Sequence, residues 1–207
     1  MTEITLIQHC QSEHHVNNLT GGWTDTPLTD LGRKQAESIA LRLKENAYLD
    51  EYLLYSSDLQ RAKQTADIIG SALEKEVIED TELREINNGI AAGKTKDWAK
   101  ENRIPLSSTG FDIDYLEYLG GETWRQFYKR ICSCMRRITE SQKNLIIVTH
   151  GCALGYIVAW WLHFEPCMLE NAVFSASPGS VTKLEKSPFQ QNVLRVFNDI
   201  SHFSKIE

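Results

Sequence analysis

The chain has no excess of basic residues, few prolines and no long apolar run. Lysine and arginine together number 22 against 28 acidic residues, which excludes the basic footprint typical of nucleic-acid-binding proteins. Only five prolines occur among 207 residues, and no Pro/Gly/Ser-rich linker divides the chain. The longest apolar run, Cys152 to Leu162, is too short to span a bilayer and is typical of a buried helix.

Cysteine is also scarce. The five cysteines are odd in number and irregularly spaced, which is not the pattern of a small disulfide-stapled secreted protein. The first ten residues, MTEITLIQHC, have neither a basic start nor a long apolar segment. These features predict a cytoplasmic chain with reduced thiols that contacts neither membrane nor nucleic acid.

The pattern of apolar residues predicts strands that alternate with helices. Strands are expected at 3–8, 52–55, 76–79, 144–149, 180–185 and 192–197. Helices are expected from about Asp30, behind Gln60, and at 95–102, 123–140 and 152–163. The alternation predicts one α/β domain over 1–207, a three-layer α/β/α sandwich with a mainly parallel sheet. An irregular inserted region is expected at about 87–121.

Two details of these helices are also predicted. Ser57 with Gln60 three residues later fits a capping box, so Ser57 is expected to begin the second long helix. In the first long helix, Leu31, Ile39 and Leu43 are expected on one buried face. The aromatic stripe of the helix at 123–140, which begins with Trp124, is interpreted as core.

Three side chains that can bind an anion follow predicted strands. His9 comes after the first strand, His150 after the strand 144–149, and Arg61 in the first turn of the helix behind strand 52–55. Ligands of open α/β sheets bind outside the carboxyl ends of the strands, where a helix N-terminus also favours anions. The residues alone therefore predict a phosphate or carboxylate pocket.

A series of motifs in the same order resembles a known family. The segments are Leu6-Ile7-Gln8-His9-Cys10-Gln11-Ser12, Asp25-Thr26-Pro27-Leu28-Thr29-Asp30-Leu31-Gly32, Ser57-Asp58-Leu59-Gln60-Arg61-Ala62, Leu83-Arg84-Glu85-Ile86, Gly120-Gly121-Glu122-Thr123 and Val148-Thr149-His150-Gly151. Together they resemble the histidine phosphatase superfamily, which includes the cofactor-dependent phosphoglycerate mutases. The resemblance implies a phosphoglycerate mutase-like fold and a small phosphorylated substrate.

The resemblance also implies roles for individual residues. His9 matches the nucleophile that forms a phosphohistidine, and Glu85 matches the proton donor. Arg61 and His150 match residues that stabilise the transferring phosphoryl group, and Gly151 matches a neighbour of the bound phosphate. No metal or other cofactor is implied.

Three positions depart from the family pattern. Gln8 stands where the family has arginine, so a permanent charge is replaced by a neutral amide. Cys10 stands where glycine is usual, and His15 where asparagine often contacts the phosphate. We expect Gln8 and His15 to serve as hydrogen-bonding substitutes in phosphate binding.

Several readings stay open at this point. The first is a metal-independent phosphatase acting on a small phosphomonoester, and the second is a phosphoglycerate mutase, although mutases of this family are generally longer. The third is a phospho-ligand binding protein whose activity is reduced by Gln8. His9, Cys10, His14 and His15 also suggest a metal cluster, but their spacing is not that of a regular zinc site. The sequence predicts no oligomeric state.

Overall fold

The computed structural model describes residues 3–45, 51–106 and 110–205. Its centre is a six-stranded sheet in the order β3-β2-β4-β1-β5-β6. The strands are β1 (Glu3–Gln8), β2 (Tyr52–Ser56), β3 (Val77–Glu79), β4 (Asn144–Thr149), β5 (Val181–Lys186) and β6 (Asn192–Asp199). The helices are α1 (Glu13–Val16), α2 (Asp30–Lys44), α3 (Gln60–Leu73), α4 (Lys96–Glu101), α5 (Trp124–Thr139) and α6 (Gly151–Trp161).

The sheet is parallel at its centre and antiparallel at one edge. β1 pairs in parallel with β4, and β2 pairs in parallel with both β4 and β3. β5 runs antiparallel to β1, and β6 antiparallel to β5. The predicted α/β class with a mainly parallel sheet is confirmed. β1 and β4 are buried almost throughout because helices cover both faces of the sheet.

Two apolar clusters lie on opposite faces of the sheet. Helices α5 and α6 pack on one face, where Phe127, Ile131 and Ile157 are fully buried. Helices α2 and α3 pack on the other face, around Ile39 and Ile69. This three-layer arrangement fixes the carboxyl ends of β1, β2 and β4 relative to one another. None of the helices within the described ranges is long and apolar enough to cross a membrane.

Two predictions about helix detail are wrong. The Ser57 hydroxyl does not cap α3, which begins at Gln60 after Leu59, because the Gln60 amide donates instead to the Asp25 carboxylate at 2.7 Å. In α2, Leu31 is exposed, and Gly32 and Ala36 occupy the buried face with Ile39. In both cases, contacts with residues distant in the sequence determine the helix start or the buried face, which the local sequence pattern does not fix.

Residues 87–121 contain little regular structure. A short 3-10 helix spans Gly89–Ala91, and α4 follows at Lys96–Glu101. The rest of the described part of this region is turns, bends and irregular backbone, with isolated β-bridges at Thr95 and Leu116. Thr123, immediately beyond it, caps α5 by accepting a hydrogen bond from the Gln126 amide at 3.2 Å.

Candidate active site

His9, Arg61 and His150 meet at the carboxyl edge of the sheet. The rings of His9 and His150 lie 5.0 Å apart between centroids. Arg61, near the start of α3, donates from Nε to His9 Nε2 at 3.1 Å. All three side chains are almost completely buried. The convergence expected from the strand ends is present because β1, β2 and β4 are parallel neighbours.

His9 and Arg61 line a small cavity of about 180 Å³, which we call the histidine pocket. Its lining includes Gln8, His9, His14, His15, Arg61 and Glu85. Gly151, the first residue of α6, also lines it; a side-chain carbon there would lie 3.4 Å from Gln8 Oε1. The structure thus gathers around one cavity every predicted site residue except His150, which lies beside the His9 ring.

The protonation state of His9 is set by its two neighbours. Its Nδ1 donates to the Cys10 carbonyl oxygen at 2.8 Å, which leaves the Nε2 lone pair free to accept from Arg61. Burial, followed by the charge of Arg61, holds the pKa of His9 well below its usual range. The imidazole is therefore neutral near pH 7, with its lone pair on Nε2.

Arg61 is held by the backbone of the loop before α2. Its Nη1 donates to the Thr24 carbonyl at 2.5 Å and its Nη2 to the Gly22 carbonyl at 2.7 Å. Burial lowers the pKa of Arg61 to about 10, so the guanidinium keeps its charge at neutral pH. Both terminal nitrogens retain a second N–H that can bind an anion.

His150 is positioned by Ser57. The two side chains share a 2.8 Å hydrogen bond through His150 Nε2, and Ser57 Oγ also accepts from the Leu59 amide at 3.3 Å. The Ser57 hydroxyl has its own proton available for Nε2, and in that arrangement the His150 proton lies on Nδ1. Burial lowers the pKa of His150, yet the neutral ring remains a donor. Its buried Nδ1 has no hydrogen-bond partner among the described residues.

His14 and His15 form the outer wall of the histidine pocket. The Ser12 amide donates to His15 Nδ1 at 3.1 Å, so the His15 proton lies on Nε2. Burial, followed by neighbouring cations, lowers the pKa of His15 to about 4. Burial lowers the pKa of His14 to about 3. The sequence pointed to His14 only as a metal ligand, because no family motif includes it.

Glu85 also lines the histidine pocket. Its Oε2 accepts from the Cys152 amide in the first turn of α6, and its Oε1 from the Ile86 amide, both at 3.0 Å. These hydrogen bonds and Arg61 favour the carboxylate, but burial is the larger effect and raises the pKa of Glu85. A carboxyl group in this setting can exchange a proton with a bound ligand.

The three imidazoles at His9, His14 and His15 offer ligand atoms within 4.8 Å of one another. Cys10, expected to join such a cluster, is not among these ligands. The Arg61 guanidinium, 3.1 Å from His9 Nε2, occupies that lone pair with an N–H and repels a cation. The cluster therefore fits an anion better than a metal ion.

Comparison with known proteins identifies the family of this chain. A family model described as the histidine phosphatase superfamily, branch 1, matches residues 4–199. The chain belongs to this superfamily. Phosphoglycerate mutase-like protein 4 of Arabidopsis thaliana is 33% identical over 98% of the chain and 87% of its own length. The chain is therefore an enzyme of the general class that includes phosphatases and phosphoglycerate mutases.

Solved structures of histidine phosphatases share the whole fold. A phosphoserine phosphatase from Entamoeba histolytica, solved with 3-phosphoglyceric acid, is 25% identical, with a TM-score of 0.74 and coverage of 98% of this chain and 99% of that one. The alpha-ribazole phosphatase from Shigella flexneri is 23% identical, with a TM-score of 0.79 and coverage of 95% and 96%. The second likeness shows the fold alone, and the predicted phosphoglycerate mutase-like fold is confirmed.

Proposed function

We propose that this protein is a phosphatase that hydrolyses a small phosphomonoester through a phosphohistidine on His9. The observation that carries the proposal is the pairing of a neutral His9, whose proton is fixed on Nδ1, with the buried Arg61 cation 3.1 Å from its Nε2. A free imidazole lone pair is the nucleophile, and a fixed cation stabilises the charge of the transferring phosphoryl group.

The first step transfers the phosphoryl group to His9. The Nε2 lone pair leaves the Arg61 Nε–H and attacks phosphorus, and the bond from phosphorus to the leaving oxygen breaks. Glu85, whose pKa is raised by burial, gives its proton to that oxygen. Arg61, His150 Nδ1–H and His15 Nε2–H donate to the phosphoryl oxygens, with the Gln8 amide as a neutral donor.

The second step returns the enzyme to its starting state. The Glu85 carboxylate takes a proton from water, the oxygen of that water attacks phosphorus, and the bond between phosphorus and Nε2 breaks. Inorganic phosphate leaves, and Glu85 is protonated again. No step uses a metal ion. The short helical segments between residues 87 and 121 favour hydrolysis over the mutase reaction, because mutases of this family carry longer shielding segments.

Rapid quenching with ³²P-labelled substrate tests the proposal. Wild-type protein should carry an acid-labile phosphate that maps to His9, and His9→Ala should lower turnover by at least about 10³-fold. The exposed His163, which follows the C-terminal end of α6, offers a matched control as His163→Ala. Undiminished activity in His9→Ala, or label on another residue, would exclude this mechanism.

A further inference from the structure

A second cavity opens beside the histidine pocket. It has a volume of about 430 Å³ and is lined mainly by apolar side chains, including Phe111, Trp124, Tyr156, Leu169, Val173 and Phe174. Gly151 and Cys152 line both this apolar cavity and the histidine pocket. The two spaces therefore adjoin at the first turn of α6.

The apolar cavity is built by one side of α6 and the segment 169–174. Gly151, Cys152, Gly155 and Tyr156 follow one another on a single side of the helix. A side-chain carbon at Gly155 would lie only 2.4 Å from the Phe174 carbonyl oxygen. Glycine at this position lets the irregular segment close over the helix and complete the wall of the cavity.

The proposed proton donor, Glu85, lines the histidine pocket and is hydrogen-bonded to a residue of the apolar cavity. The Cys152 amide donates to Glu85 Oε2 at 3.0 Å, so the residue that holds the Glu85 carboxyl also lines the apolar cavity. The oxygen that receives a proton from Glu85 is the one that joins phosphorus to the rest of the substrate. That remainder can therefore extend from Glu85 into the apolar cavity.

The surface of this cavity selects for apolar groups. Val173 is 81% exposed and Phe111 is 41% exposed at its rim, and a ligand would remove this surface from water. Among the described residues that line it, Glu170 is the one that carries a charge, and this disfavours an anionic tail. The other route from Glu85 is a polar cleft of about 490 Å³ near Lys96 and Lys100.

We propose that the leaving group of the substrate has an apolar, preferentially aromatic, body that occupies the apolar cavity. This inference rests on the proposed phosphatase function and adds the chemical class of its substrate. It predicts that apolar bulk on the leaving alcohol, and not a second charge, increases the specificity constant.

The first test compares esters of aliphatic alcohols, so that leaving-group acidity changes little. We expect kcat/KM for 2-phenylethyl phosphate to exceed that for ethyl phosphate by about tenfold or more. 3-Phosphoglycerate, which adds a carboxylate, should be no better than ethyl phosphate. A preference for 3-phosphoglycerate over 2-phenylethyl phosphate would overturn the proposal and assign the leaving group to the polar cleft.

Substitutions at the exposed rim test whether the apolar cavity causes the preference for 2-phenylethyl phosphate. Val173→Glu and Phe111→Ser should remove most of the advantage of 2-phenylethyl phosphate over ethyl phosphate. The control is Phe189→Ser, which alters an apolar side chain that is 85% exposed in the turn between β5 and β6. If the rim variants and the control keep the same preference, the cavity is not the leaving-group site.

Calorimetric binding of two non-hydrolysable phosphonates separates this inference from the function on which it rests. 2-Phenylethylphosphonate should bind wild-type protein about tenfold more tightly than ethylphosphonate, and Val173→Glu should equalise the two. Selective binding without hydrolysis of any ester would retain the apolar site and refute the phosphatase. Equal binding of both phosphonates by wild-type protein would refute the apolar site, whatever the enzyme hydrolyses.

Discussion

Arg130 donates from Nη2 to the Glu85 carbonyl oxygen at 3.0 Å. This hydrogen bond fixes the main chain of Glu85, the proposed proton donor. The same guanidinium donates to the Glu82 carbonyl at 2.6 Å and forms a two-pronged pair with Glu122 at 2.7 and 2.8 Å. Glu122 belongs to the Gly-Gly-Glu-Thr segment, which therefore acts on Glu85 through Arg130. Arg130 is a positioning residue in this arrangement.

Arg130→Met should weaken both the fold and the proton transfer. Loss of charged hydrogen bonds that are largely shielded from water should lower the free energy of unfolding by about 1.5–3 kcal/mol. Turnover should fall more for alkyl phosphates than for p-nitrophenyl phosphate, whose leaving group needs no proton. Denaturant unfolding and the ratio of the two rates measure these effects.

Arg125 on the same helix gives the matched control. It pairs with Asp114 at 2.7 Å, where both side chains are exposed, so Arg125→Met should leave the free energy of unfolding nearly unchanged. Arg130→Lys should restore part of the alkyl phosphate rate. If Arg130→Met slows both substrates by the same factor, its role is structural only.

Glu85→Gln should remove the proton donor while preserving its shape. We expect kcat for alkyl phosphates to fall by about 10²- to 10⁴-fold, with a smaller loss for p-nitrophenyl phosphate. In the wild type, kcat/KM should decrease as pH rises through the raised pKa of Glu85, because the acid form donates the proton. A pH profile for Glu85→Gln that retains this decrease would assign it to another group.

Gln8→Arg should strengthen phosphate binding. A charge-assisted hydrogen bond contributes about 1.5–3 kcal/mol against about 0.5–1.5 for a neutral one. The difference, about 1 kcal/mol, corresponds to a five- to tenfold lower inhibition constant for inorganic phosphate. Gln8→Met, of similar length but without a donor, should raise that constant. Weaker inhibition of Gln8→Arg would instead favour a specialised Gln8–His15 pair, because arginine would then displace the phosphate.

Removal of divalent metal should leave activity unchanged. The positive charge of Arg61 lies beside His9 Nε2, the atom that a metal would have to bind and that acts as the nucleophile. Dialysis against EDTA, with metal content checked by mass spectrometry, measures this directly. Loss of turnover that returns with added Zn²⁺ or Mg²⁺ would contradict a metal-independent mechanism.

The sequence predicted most of the fold because its strands are strongly apolar. The buried run of β4 and the polar residue after it, His150, were enough to place the histidine at the carboxyl edge. Ser57 was misinterpreted as a helix cap because its true partner, His150, lies 93 residues away along the chain. Local patterns carry no information about such partners.

Glu85 and the apolar cavity are two features that local sequence patterns did not predict. Glu85 came only from the resemblance to a family, because a raised carboxyl pKa depends on burial that no short motif reports. Trp124 was interpreted as core, and its neighbour Phe127 is fully buried. Trp124 itself is only partly buried and lines the cavity, because α5 begins there at the edge of the packed layers.

The central position of β1 in the sheet determines how well the site resists local unfolding. β1 is hydrogen-bonded to β4 on one side and to β5 on the other, and the His9 amide continues the ladder to the Thr149 carbonyl at 2.8 Å. Brief openings of surface segments leave such a central strand closed, and its amides exchange with solvent only when the fold as a whole opens. The nucleophile is thus held with nearly the full thermodynamic stability of the protein, whereas the exposed residues 171–173 at the apolar cavity lie outside the sheet.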